Sequence, residues 1–253
     1  MRVLITNDDG ITAPGLKILE HIARSLTDDV WIVAPEHDQS AVSHSLTLRT
    51  PFRITEISSK KYSVSGTPTD CVLSAVQLLM EDKPDLVLSG VNNGANIAED
   101  VTYSGTVAAA LEATILGIPA IAFSLTNQTL QPTKWATAEH WGPIVLSKIL
   151  KNPIPKDVLI NVNFTNVVHK SVEGIKVTSQ GRRKFFDSIC KREDPRGVPY
   201  YWIGPGTQGY DSMKSAESGT DVEAIINRYI SITPLSVDIT NQKTLELLKE
   251  QFA

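Results

Sequence analysis

Short β-branched runs alternate with longer amphipathic stretches through the first half of this chain, which restricts it to βαβ units built on a mostly parallel sheet. Val3 to Thr6 reads as the first strand, after which Leu16, Leu19, Ile22, Ala23 and Leu26 recur at helical spacing. Val30 to Ala34 reads as a second strand, stopped by Pro35. Ser45 to Ile57 and Tyr62 to Val64 read as an extended excursion. Thr67-Pro68 has the form of a helix cap followed by proline at the first helical position, opening a helix through Val72, Val76 and Leu79. Leu86 to Ser89 and Ile118 to Phe123 are further strands, separated by a small-residue helix over Thr106 to Leu116.

From about residue 125 the rhythm changes. Thr133 to Lys151 has a helical pattern that Pro143 should kink or break. Val158 to Phe164 and Tyr229 to Pro234 read as strands, and Thr240 to Phe252 as a terminal helix. Residues 165 to 220 are rich in Gly, Pro, aromatics and charges, as in Gly181-Arg182-Arg183-Lys184 and Asp194-Pro195-Arg196-Gly197. Such a segment cannot build its own core and is expected to pack on a neighbour, in this chain or in another subunit. The organisation expected is a single α/β domain over residues 1–253. Its Rossmann-like core spans 1–165, a β-rich oligomerisation extension 166–220, and a returning strand and helix 221–253. Tyr200, Tyr201, Trp202 and Arg182 to Lys184 are aromatic and cationic enough to read as interface residues.

A formal net charge of −4 over 253 residues gives no field to hold a nucleic-acid polymer or an anionic membrane. A small anionic substrate is still allowed, because a cation and a few backbone donors reverse the sign locally. The first apolar run is only strand-length and no basic-then-apolar leader is seen, so a cytoplasmic protein is expected. Its two cysteines, Cys71 and Cys190, are then reduced and without a catalytic role.

The chemistry is written at the strand ends, where open parallel sheets bind ligands. Asp8 and Asp9 end the first strand and are followed at once by Gly10. Two carboxylates side by side are costly unless a cation or a proton sits between them, which points to a hard metal ion. The alternative is a capping aspartate beside a solvated one. The second strand is followed by Pro35-Glu36-His37-Asp38-Gln39-Ser40, and the strand at 86 to 89 by Gly90-Val91-Asn92-Asn93-Gly94-Ala95-Asn96. A hydroxyl and an amide oxygen added to two carboxylates make a hard-cation shell with open positions, and Ser40 and Asn92 add no charge that would repel an anion. Tyr103-Ser104-Gly105-Thr106 then precedes a helix, whose N-terminus offers N–H groups and hydroxyls to a phosphate.

Taken together, Asn-Asp-Asp-Gly at 7 to 10 with Ala13 and Gly15-Leu16, Ala34-Pro35 through Ser40, Gly66-Thr67-Pro68, Ser89-Gly90-Val91-Asn92 with Gly94 and Asn96, Tyr103 to Thr106, and Ser231-Ile232-Thr233-Pro234-Leu235 resemble the SurE family of metal-dependent nucleotidases. The resemblance implies a Rossmann-like core and a phosphomonoesterase using one divalent cation per subunit, Mg²⁺ or Mn²⁺. Its implied substrates are nucleoside 5′- and 3′-monophosphates, with exopolyphosphatase activity in some members. It further implies that Asp8, Asp9, Ser40 and Asn92 ligate the metal, that Asn96, Ser104, Gly105 and Thr106 surround the phosphate, and that subunits form homodimers or homotetramers. The chain departs from the family pattern at Ala41 and Ala98, where glycine is usual, so the backbone of two loops is in question if those positions need positive φ.

The mechanism these residues suggest is metal-assisted hydrolysis of a phosphate monoester, with Asp8, Asp9 and Asn96 as catalytic groups and charge on the phosphoryl oxygens met by Asn96 and the helix N-terminus. The group that takes the water's proton is open between Asp9 and His44, and a lone loop histidine is usually just exposed. An aspartyl-phosphate phosphatase needs its nucleophile two residues before the second aspartate, where this chain has Asn7. A phospho-acceptor receiver domain needs an aspartate after a later strand, where this chain has Ser89 and Gly90.

Overall fold

The computed structural model describes residues 1–127, 132–183, 186–205 and 216–253. Its centre is a nine-stranded mixed sheet in the order β3-β4-β2-β1-β5-β6-β7-β11-β8. These are β1 (Val3–Thr6), β2 (Val30–Pro35), β3 (Ile54–Ser58), β4 (Lys61–Val64), β5 (Leu86–Asn93), β6 (Ala120–Leu125), β7 (Val158–Phe164), β8 (Gly174–Val177) and β11 (Tyr229–Ser236). The run β4-β2-β1-β5-β6-β7 is parallel throughout. The antiparallel pairings lie toward the edges, β3 on β4 and β11 on β7, and β8 adds parallel to β11.

The central strands are apolar on both faces because helices cover both. On one side α1 (Pro14–Arg24) and α4 (Trp135–Ile149) lay Leu16, Leu19, Ile22, Val145 and Leu146 against Val3, Ile5, Ile32, Leu88 and Phe123. On the other, α2 (Pro68–Ser74) and α3 (Gly105–Ile115) lay Cys71, Val72, Val107, Ala109 and Ala110 against Leu4, Val33 and Val87. The alternation Val3/Leu4/Ile5 therefore divides one strand between two cores.

The helix expected from Thr67 opens with a capping box: Thr67 Oγ accepts from the Asp70 N–H while the Asp70 carboxylate accepts from the Thr67 N–H. It ends in a π-helical turn over Ala75–Leu79. Two local expectations need correcting. Of the excursion expected over Ser45 to Ile57, only Ile54–Ser58 is strand; residues 45–53 are irregular and make side-chain bonds to α2 instead of ladder bonds. Of the kink or break expected at Pro143, the break does not occur, since helix α4 continues through it. Packing of its apolar face against α1 outweighs the loss of one backbone donor there.

In the second half, β9 (Phe186–Glu193) and β10 (Pro199–Pro205) form a separate antiparallel pair. Ile189, Tyr200, Tyr201, Trp202 and Ile203 are exposed on it. Strand β8 and α5 (Asp221–Ile226) instead pack into the main body, α5 contributing Val222 and Ile225 to a small cluster with Ile97 and Ala98. The terminal helix α6 (Gln242–Gln251) buries none of its residues. Lys184 and residues 206–215 of the expected extension lie outside the described residues. No helix among the described residues is long and apolar enough to cross a membrane.

Candidate active site

The order β2-β1-β5 brings three chain reversals to neighbouring positions at the carboxyl edge of the sheet. From β1 come Asp8 and Asp9, from β2 the segment ending in Ser40, and from β5 Asn92 and, beyond it, Asn96. Backbone bonds tie them together. The Gln39 N–H donates to the Asp8 carbonyl at 2.8 Å, and the Asn93 N–H donates to the Asp9 carboxylate at 3.1 Å. Asn92 reaches its place because β5 bulges between Ser89 and Asn92 in its pairing with β6. Gly90 makes that bulge possible: its φ is +126°, and a Cβ there would lie 2.1 Å from the Phe123 carbonyl oxygen.

Asp8 is 4% exposed, and among the described residues no Lys, Arg or His side chain pairs with it or with Asp9. Burial, with the Asp9 charge alongside, pushes the Asp8 carboxyl up to about 7, against the pull of hydrogen bonds from Thr106. Burial and the nearby Asp38 raise Asp9 as well, while the Asn93 N–H favours its charged form. The described residues contain no cluster of three or more His, Cys, Asp or Glu side chains with metal-site geometry. A cation here would rest on two carboxylates and neutral oxygens. The donor set fits a hard ion. Asn92 spends its amide nitrogen on the Gly94 carbonyl at 3.0 Å, which leaves its side-chain oxygen for a cation. Ser40 Oγ donates to Asp38 at 2.6 Å and keeps its lone pairs.

The helix N-terminus expected to hold phosphate is joined directly to this pair. Thr106 Oγ donates to Asp8 Oδ1. A Cβ on Gly105 would stand 2.8 Å from the Asp8 Cβ, so only glycine lets the first turn of α3 come this close. Ser104 caps the helix, its Oγ accepting from the Val107 N–H at 3.0 Å and its own proton remaining to donate. The N–H groups of Gly105 and Thr106, in the first turn, have no acceptor within the helix. Asn96 is buried and donates one amide proton to Ser124 Oγ at 2.8 Å. Its backbone is held from below: its N–H donates to Asn163 Oδ1 at 2.8 Å, and its carbonyl accepts from Asn161 and Asn163 at 2.8 and 3.0 Å.

Asp38, Asn93, Ser124, Asn161 and Asn163 were not anticipated from the sequence. Asn161 and Asn163 did carry a signal, two amides spaced by two in an otherwise apolar strand, hence on one buried face. The turn between Asn96 and Ser104, the 3-10 helix Ala98–Thr102, is anchored from far along the chain. The fully buried Asp221 accepts from the Ala98 and Gly181 N–H groups at 3.0 and 2.8 Å, and Arg183 pairs with Asp100. Both positions where glycine was usual are left-handed, Ala41 at φ 60° and Ala98 at φ 52°. The loops thus keep the glycine conformation without the glycine. His44 does not reach the carboxylate pair; it bonds Glu112 of α3.

Comparison with known proteins follows the same pattern. The family model described as survival protein SurE matches residues 3–187. The chain is 54% identical over 253 residues to the 5′-nucleotidase SurE of Paramagnetospirillum magneticum, covering 100% of this chain and 96% of that protein. It is 51% identical over 252 residues to the 5′-nucleotidase SurE of Bradyrhizobium diazoefficiens, covering 98% of each. The crystal structure of the SurE protein from Aquifex aeolicus matches at a TM-score of 0.85 and 42% identity, over 100% of both chains.

Proposed function

This chain belongs to the SurE family, and on that footing we propose that it is a 5′-nucleotidase that releases phosphate from nucleoside monophosphates with the help of one divalent cation. The observation that carries this reading is the contact of Asp8 with Thr106 and Gly105, which joins a carboxylate pair in need of positive charge to a helix end in need of negative charge. A phosphate ester bound across the two satisfies both. Asp8, Asp9, Ser40 and Asn92 would hold Mg²⁺ or Mn²⁺, which when bound neutralises the carboxylates, polarises a phosphoryl oxygen and acidifies water.

The chain's own residues supply the rest. Ser104 Oγ, the N–H groups of Gly105 and Thr106, and the second amide proton of Asn96 orient the phosphoryl oxygens and stabilise the charge that builds on them. Asp9, one carboxylate oxygen of which is fixed by the Asn93 N–H, takes the proton of the attacking water with the other. The same site accepts 3′-monophosphates and the terminal phosphate of polyphosphate, since its described donors recognise the phosphoryl group and not the base. The exposed β9–β10 pair and the unburied α6 support a homodimer or homotetramer. The unpaired Cys71 and Cys190 suit the reducing cytoplasm.

The test is phosphate release from nucleoside monophosphates, sugar phosphates and polyphosphate with Mg²⁺, Mn²⁺ or chelator, comparing the wild type with Asp9→Asn. Metal-dependent release that collapses in the variant is expected. No metal-dependent release from any substrate, or an unaffected Asp9→Asn enzyme, would overturn the reading.

A further inference from the structure

Between Ser40 and His44 the backbone is costly to hold, because Ala41 and Ser43 are both left-handed without being glycine, at φ 60° and 56°. A turn of this kind persists only if its far end is fixed. The far end is fixed on α3 and on the turn just before it. His44 Nε2 lies 2.8 Å from Glu112 Oε2, and Ser43 bonds the Tyr103 and Thr102 carbonyls at 3.0 and 2.8 Å.

Glu112 is the buried end of this tie. It sits on a helix otherwise made mostly of Ala, Val, Leu and Thr, its side chain 10% exposed against 30% for His44, and His44 is its side-chain partner. A carboxylate so placed loses water and needs a cationic or donor partner. The imidazole supplies one, across 68 residues of sequence. At its other end the strap enters the site, with the Gln39 N–H on the Asp8 carbonyl and Ser40 next to it.

We propose that His44 is a positioning residue. By bonding Glu112 it clamps the 41–48 strap onto α3, the helix that begins at Ser104 to Thr106, and so sets Ser40 against the Asp8–Asp9 pair. The proposal rests on the assignment of Ser40 as a cation ligand. It gives His44 a task other than proton transfer: its loss weakens cation binding and leaves the chemical step of the loaded enzyme intact.

The test combines hydrogen exchange of the 41–48 amides with calorimetric Mn²⁺ binding, for wild type, His44→Ala, the isosteric Glu112→Gln, the double variant and His44→Gln, which keeps a donor of similar reach. For a charge-assisted bond to a buried partner, each single variant is expected to exchange about tenfold faster and bind Mn²⁺ about tenfold more weakly, the double no worse than either single, and His44→Gln close to wild type. The turnover number at saturating Mn²⁺ stays near that of the wild type. Unchanged exchange, additive single effects, faster exchange with unaltered Mn²⁺ affinity, or a lost turnover number with unaltered affinity would each overturn the proposal. Wild type that binds no Mn²⁺ overturns the cation reading along with it, whereas Mn²⁺ binding that ignores His44 and Glu112 overturns this inference alone.

Discussion

Thr106 gives its hydroxyl proton to the buried carboxylate of Asp8, 98 residues earlier in the chain. One hydroxyl thereby fixes the orientation of a strand-end carboxylate from the first turn of a helix. Replacing Thr106 with Val keeps the volume and removes the donor. Metal-dependent phosphate release is expected to fall by about tenfold to a hundredfold, the usual cost of losing a group that orients a ligand, while Thr106→Ser retains most of it. Steady-state kinetics with a nucleoside 5′-monophosphate at saturating Mn²⁺ checks both.

The Asp8 carboxyl stands near 7 in the folded chain against an ordinary 3.8, so without metal the folded state binds this proton more tightly than the unfolded state does. Its contribution to stability is complete below pH 3.8 and is lost as pH rises through about 7. Metal-free Asp8→Asn should therefore melt higher than metal-free wild type at pH 8, with the difference shrinking toward pH 4. Mn²⁺ should raise the wild-type melting temperature at pH 8 far more than at pH 5, and should not do so for Asp8→Asn. Thermal melts across pH, with and without Mn²⁺, read all of this out.

Ala41 and Ala98 occupy left-handed backbone. The conformation costs a non-glycine residue about 1–2 kcal/mol, part of which glycine gives back through the entropy of the unfolded chain. Ala41→Gly and Ala98→Gly are each expected to stabilise by about 0.5–1 kcal/mol in urea unfolding, and to add in the double variant because the two sites share no bonded partner.

Asn163 holds both the N–H and the carbonyl of Asn96. Asn163→Leu fills the space yet strands the Asn96 N–H away from water, at a cost of about 1–3 kcal/mol. Phosphate release is expected to fall as well, since the Asn96 side chain loses its footing. If urea unfolding shows no destabilisation, the support assigned to Asn163 is wrong.

The parallel core was legible because its strands are short, β-branched and punctuated by Pro, Gly and Asn. Val3 to Thr6, Val30 to Ala34 and Leu86 to Ser89 are each found in strands beside one another. The strand-end residues were legible for the same reason, since a parallel sheet fixes where its carboxyl ends point. What the pattern did not carry is anything set by distant partners. Residues 45–53 have strand-like composition, but Thr47 and Ser45 bond Asp70 and Thr67, and no ladder forms. Pro143 carries the local signal of a broken helix and is overruled by the core beneath it. Asn163, Asp221 and Glu112 meet Asn96, Ala98 and His44 across 67, 123 and 68 residues, separations that no local window contains.

The place of β1 in the sheet also governs how the chain must be made. Strand β1 is a central one, flanked by β2 on one side and, on the other, by β5, which follows much later in the chain. Its second edge stays open until residues 86–93 have been synthesised. At about 5–20 residues per second, that exposes a bare, apolar strand edge for several seconds on every nascent chain. During that interval Asp8 and Asp9 put carboxylates just beyond the strand, where charge disfavours its continuation into an aggregate.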